Sequence, residues 1–160
     1  MNGTRVCIDT NVFLNVINKE KAYLSYSREV LLAISRGDLE AIIPTLVISE
    51  VLTGFYIEKR KTDAEEFLAA IVTHKHMKVI PLSIDIAASS TIVRARTGLK
   101  LPDAMILATA IENRTNYIVS NDEGLPRSYK GVKTVKSIGN DKAYERDCGS
   151  LSFWLNFGSS

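Results

Sequence analysis

Histidine and cysteine are scarce in this 160-residue chain, with two of each. Cys7 and Cys148 have no metal-ligand spacing and supply no disulfide framework, which excludes a zinc module and favours a reducing compartment such as the cytoplasm. Cys7 lies in an apolar run and reads as a small buried hydrophobe. His74 and His76 stand together in THKHMK, far in sequence from the acidic motifs, and read as surface loop residues. No apolar run approaches the roughly 20 residues that a membrane helix needs. The N-terminus lacks the basic segment and apolar stretch of a secretory signal. A phosphate-binding loop, a glycine-rich dinucleotide fingerprint and a nucleophile elbow are all missing, so no organic cofactor is expected. Strong charge of one sign is missing too: the net charge of +2 permits a nucleic-acid partner without arguing for one.

What is present is an ordinary globular composition, 46% hydrophobic and 24% charged, at a length that makes one domain with a real core. Short apolar runs alternate with longer helical patterns. Strands are expected at Arg5–Ile8, Ala41–Ile43, Lys78–Leu82, Tyr117–Val119 and Lys133–Ile138. Helices are expected at Val12–Ile17, Ser25–Ser35, Leu46–Lys59, Ala64–Thr73, Ile86–Arg96 and Asp103–Arg114. This alternation predicts an α/β fold, a parallel sheet covered by helices. Thr45, Asp63 (with Glu66 closing a capping box) and Asp85 are the expected N-caps of three helices, and Gly98 the stop of another. The stripe Ile48, Val51, Leu52, Phe55 and Tyr56 and the aromatic tail SLSFWLNF are candidates for apolar contact with a partner. Residues 1–140 form the expected domain and 141–160 an extension.

The acids fall at telling places. Open parallel α/β sheets bind ligands beyond the carboxyl ends of their strands. Asp9 follows the first strand beside Thr10 and Asn11; Asp122 follows the fourth beside Ser120 and Asn121. Asp103 shares a helix face with Ile106, Leu107 and Ala110 and sits in the first turn, where free N–H groups favour an anion. Glu50 lies early in its helix, off the apolar stripe. Each acid singly also reads as a turn former, a helix cap or a solvated group. Together they could converge on one site, where two like charges about 4 Å apart repel by roughly 4 kcal/mol at an effective dielectric near 20. Such a cluster needs protons or cations. Oxygen donors without histidine or cysteine select hard ions such as Mg²⁺ or Mn²⁺, which suit phosphate chemistry. CIDTN lacks the second Asp, two residues after the first, of an aspartate-based phosphatase.

With IDTNV after the first strand, VISEVL on a mid-chain helix, LKLPDAMILATAI, and YIVSND after the fourth strand, the chain resembles the PIN domains, and among them the VapC toxin ribonucleases. The resemblance runs from about Arg5 to Ile138. It implies a five-stranded sheet in the order 3-2-1-4-5, with Asp9 and Asp122 flanking the switch point. It carries the family's acidic quartet onto Asp9, Glu50, Asp103 and Asp122 as catalytic residues and Mg²⁺ or Mn²⁺ ligands, with Asp9 and Asp103 central and either Glu50 or Asp122 taking a proton from the attacking water. Asn11 and Ser120 become supports for the acids, and Thr10 belongs to the first motif with its side chain directed away. Where the family often has an aromatic residue, Leu125 stands, a change expected to touch loop packing rather than metal binding. The implied activity is RNA hydrolysis leaving 5′-phosphate and 3′-hydroxyl ends, by a homodimer held in check by an antitoxin whose basic segment pairs with the acids. Arg94, Arg96 and Lys100, then Arg127 and Lys130, are the candidate phosphate contacts. The rival expectations are a PIN nuclease of RNA processing or DNA metabolism, and a non-catalytic nucleic-acid-binding module.

Overall fold

Strand β1 (Thr4–Ile8) occupies the middle of the sheet because its apolar residues Val6, Cys7 and Ile8 have no polar alternation and are covered on both faces. The computed structural model describes residues 4–135. After β1 come α1 (Thr10–Ile17), α2 (Leu24–Arg36), β2 (Leu39–Pro44), α3 (Thr45–Ile57), α4 (Lys61–Thr73), β3 (Met77–Ile80), α5 (Ile84–Thr97), α6 (Leu101–Glu112), β4 (Tyr117–Val119), β5 (Ser128–Tyr129) and β6 (Val132–Val135). Among the described residues no helix is long and apolar enough to cross a membrane.

The sheet order is β3-β2-β1-β4-β6-β5, and all neighbours pair parallel except β5 and β6. The five expected strands therefore lie in the expected order, with β6 as the fifth. The addition is β5, a two-residue antiparallel strand joined to β6 through Lys130 and Gly131, both at positive φ (48° and 82°). Two such residues make the tight turn whose twist matches a hairpin. The end of the expected last strand (136–138), Cys148, the boundary at 140, and the 141–160 extension with its aromatic tail lie outside the described residues.

Helix ends differ from expectation for local reasons. Strand β2 runs straight into α3 with Pro44 as its cap, so Thr45 is the first helical residue rather than the cap. Helix α4 opens at Lys61, and Asp63 binds Arg60 at 2.6 Å instead of capping. The Ser83 hydroxyl accepts from the Ile86 N–H at 3.2 Å and caps α5, leaving Asp85 in the first turn. Gly98, at φ 73°, ends α5 as expected. The stripe of α3 is not open to a partner: Ile48, Val51 and Phe55 are buried, and Phe55 packs on Phe67, which meets Phe13 edge-on. The apolar side chains left exposed include Tyr56 and Ile57 at the end of α3, Leu68 and Val72 on α4, and Ile84 and Ile92 on α5.

Candidate active site

Asp9 sits where the strand order reverses. Its N–H extends the β1–β4 ladder by donating to the Val119 carbonyl at 3.1 Å, which pins the residue between those two strand ends. Its side chain caps α1, accepting from the Thr10 N–H at 2.7 Å. The other carboxylate oxygen accepts from the Asn11 amide at 2.9 Å and from the Ser120 hydroxyl. Ser120 is fully buried and saturated: it donates to Asp9 and accepts from Asn11 Nδ2 (3.1 Å) and the Asp122 N–H (3.0 Å). The Asn11 carbonyl oxygen accepts from the Asn121 N–H at 3.2 Å. One network therefore ties the loop after β1 to the loop after β4.

The remaining acids come from separate elements. Glu50, on α3, accepts a hydrogen bond from the Thr10 hydroxyl. Thr10 thus points toward the acids, contrary to the expectation from sequence, because capping by Asp9 sets the first turn of α1 facing α3. Asp103 lies in the first turn of α6 behind Pro102. Asp122 accepts from the Gly124 N–H at 2.7 Å. A Cβ at residue 124 would lie 3.1 Å from that Asp122 oxygen, so glycine lets the loop close on the carboxylate.

All four carboxylates line one open cleft of about 450 Å³, together with Thr10, Asn11, Leu14, Ser49 and Thr53. None of these lining residues is cationic. Ser49, Thr53 and Leu14 were not singled out from the sequence. Their signal was helical spacing: Thr53 stands three residues after Glu50 and Leu14 three after Asn11.

The crowding shows in the acids' proton affinity. Burial pushes the Asp9 carboxyl up to about 6, the charges of Asp103 and Asp122 push the same way, and the bonds from Ser120 and Thr10 oppose them. Burial, then the charges of Asp122 and Glu50, raise Asp103, with Lys100 acting against them. Behind the site, burial and the Asp9 charge raise the Cys7 thiol, which stays a neutral core group.

Of the basic candidates, Lys100 immediately precedes α6 and its charge reaches Asp103. Arg94, Arg96, Arg127 and Lys130 are exposed, and none lines the cleft. The histidines are not free loop residues as expected. His76 binds Glu40 at 2.7 Å and packs so closely on Gly37 that a Cβ there would meet its ring at 2.8 Å. Leu125 is buried and joins the core, filling by packing the place where an aromatic residue was expected.

The donors in the cleft are carboxylates and hydroxyls, the oxygen set taken by hard cations. Among the described residues no group of three or more histidine, cysteine or acidic side chains stands close enough to enclose an ion. This arrangement fits a cation that keeps much of its water, as Mg²⁺ does when held by one or two carboxylates, and does not fit an all-protein cage.

Comparison with known proteins agrees with this geometry. The chain is similar to a chain of VapBC2 from Rickettsia felis, solved bound to a DNA fragment from their promoter (18% identity, TM-score 0.65, covering 83% of this chain and 98% of that one). It is similar to a chain of a toxin–antitoxin complex from Klebsiella pneumoniae (27% identity, TM-score 0.56, 79% and 94%). It is also similar to a chain of DNA-bound VapBC from Salmonella typhimurium (17% identity, TM-score 0.60, 83% and 98%). No curated protein sequence was found to match. Residues 6–131, most of the chain and every acid of the cleft, match the PIN domain, and the chain belongs to that family.

Proposed function

We propose that this protein is a Mg²⁺- or Mn²⁺-dependent endoribonuclease, the toxin of a VapC-type toxin–antitoxin pair. The observation that carries the reading is the convergence of Asp9, Glu50, Asp103 and Asp122 from separate segments on one cleft with no lining cation. The likeness to VapBC chains and to a Klebsiella toxin–antitoxin complex supports the toxin assignment. In this reading Asp9 and Asp103 hold the ion. When bound, a divalent ion supplies positive charge at the attacked phosphate and makes a water acidic enough to attack. The protein's own groups do the rest. Asp9 already accepts three hydrogen bonds, from Thr10, Asn11 and Ser120, so about one of its four lone-pair sites faces a cation. Asn11 and Ser120 fix that direction. Glu50 is steadied by Thr10 through one oxygen and keeps the other to take a proton from water; Asp122, braced by Gly124, holds the opposite side. Lys100, beside Asp103, meets the RNA backbone, with Arg94, Arg96 and Arg127 as outlying phosphate contacts. The partners in this reading are an RNA substrate, an antitoxin that seats a cationic side chain in the cleft, and a second copy of the chain in a cytoplasmic homodimer.

The test is cleavage of single-stranded RNA by the purified protein with Mg²⁺ or Mn²⁺, with chelator, and by Asp103→Asn. Cleavage that needs metal and disappears in the variant is the expected result. Equal cleavage by wild type and variant, or none under any metal, overturns the reading. Growth arrest on expression, relieved by a co-expressed antitoxin, separates a toxin from a processing nuclease.

A further inference from the structure

Next to the acid cleft lies a second, differently built cavity of about 290 Å³, between the carboxyl ends of β2 and β3 and the helices α3 and α6. Its walls are mostly apolar: Leu46, Ile80, Leu82 and Met105. Leu82, just past β3, is 54% exposed at this site, an apolar side chain with nothing over it among the described residues. Hydroxyls of Thr45, Ser49 and Thr109 are the polar groups, and no charged side chain lines the pocket. The Thr109 hydroxyl already donates to the Met105 carbonyl at 2.7 Å, so toward the pocket it can only accept. Ser49 is common to both cavities, and it precedes Glu50 in the chain.

We propose that this pocket receives the base of the nucleotide adjoining the scissile phosphate, and so sets which sequences are cut. The inference rests on the nuclease reading above, because it places the phosphate on the acids. A group linked to that phosphate passes over Ser49 into the neighbouring cavity. The lining suits a neutral, flat ring with polar edges rather than a phosphate: apolar surfaces for its faces, a thioether that packs well on aromatic edges, and a few hydroxyls for its rim. Unpaired bases of single-stranded RNA are read in this way, by stacking and by hydrogen bonds to their edges. The Thr109 acceptor favours a base that presents an amino group.

The experiment is to cut a randomised single-stranded RNA with wild type, Leu82→Ala and Met105→Ala in Mg²⁺, and to sequence the cut ends. Leu82 is largely exposed, so its variant keeps the fold even if Met105→Ala does not. Wild type is expected to prefer one base class at a position flanking the cut. Both variants are expected to weaken that preference about tenfold through KM rather than kcat, the scale of one lost stacking contact. A wild type that cuts with no flanking preference overturns the inference, as do variants that cut with the wild-type preference. Variants that lose binding to a protein partner while their cut pattern is unchanged mark the pocket as a protein-docking site and overturn it equally. No metal-dependent cleavage by wild type removes the nuclease reading itself, and that outcome is distinct from the other three.

Discussion

The two edges of the one sheet treat charge in opposite ways. At the amino edge, charged groups meet partners: Glu40 binds His76 at 2.7 Å, Asp38 binds Arg36 at 3.0 Å, and Arg5, in register with Glu40, donates to the Asn113 carbonyl at 3.3 Å. At the carboxyl edge, four carboxylates share a cleft that no cationic side chain lines, and burial with mutual repulsion pushes the Asp9 carboxyl up to about 6. The backbone that carries both edges is the same. One edge is built for stability and the other for an absent positive charge.

The largest expected break in this contrast is in activity. Asp9→Asn should lower metal-dependent RNA cleavage by at least about 10²-fold, in the range of losing a group that acts in the reaction, whereas Glu40→Gln at the opposite edge should leave it unchanged; parallel kinetics on one RNA check both. Next is the pH response of stability. The folded-state value of Asp9 lies above its unfolded value, 3.8 against about 6, so the folded state holds the proton more tightly. That contribution is present below about pH 4 and is lost as pH rises through about 6, a change of about 3 kcal/mol at 1.36 kcal/mol per unit. Urea midpoints in chelator should show this fall for wild type and a smaller one for Asp9→Asn.

Adding the missing charge should reverse that loss. At about 100 times its dissociation constant, Mg²⁺ or Mn²⁺ should stabilise the protein by about 2.7 kcal/mol, or roughly 5–10 °C in Tm for a domain of this size. Thermal scans of wild type beside Asp9→Asn/Asp103→Asn, which should not respond, make the comparison. Ser120→Ala leaves Asp9 in place but removes the hydroxyl that orients it. It should cost roughly 10- to 100-fold in metal affinity, as lost supports of metal ligands do. Because the Ser120 bond lowers the Asp9 value, the variant should also bind metal only at higher pH than wild type, which a titration across pH reads. Smallest is Glu40→Gln itself, whose half-exposed pair should be worth under about 1 kcal/mol by urea denaturation.

The sequence made the sheet legible because β1 and β2 are buried on both faces and therefore apolar almost throughout. It made the cleft legible because Asp9 and Asp122 directly follow such strands, beside the small polar residues that now bond them. The hairpin of β5 escaped notice: a two-residue strand has no periodicity, and its turn places Lys130 where Asn or Asp would have signalled. The caps were misplaced where a neighbour intervened. Arg60 takes the Asp63 carboxylate, and Pro44 joins strand to helix without a loop, so the short-range pattern pointed a residue or two away. The hydrogen bond from Thr10 to Glu50 spans forty residues and depends on how α1 faces α3, which no local spacing encodes.

That direct junction of β2 with α3 leaves the polypeptide no slack at Pro44–Thr45. One residue inserted there would turn the whole of α3 by about 100°, carrying Glu50 off the cleft while every other acid kept its station. The same insertion at the tip between α3 and α4 would pass almost unfelt.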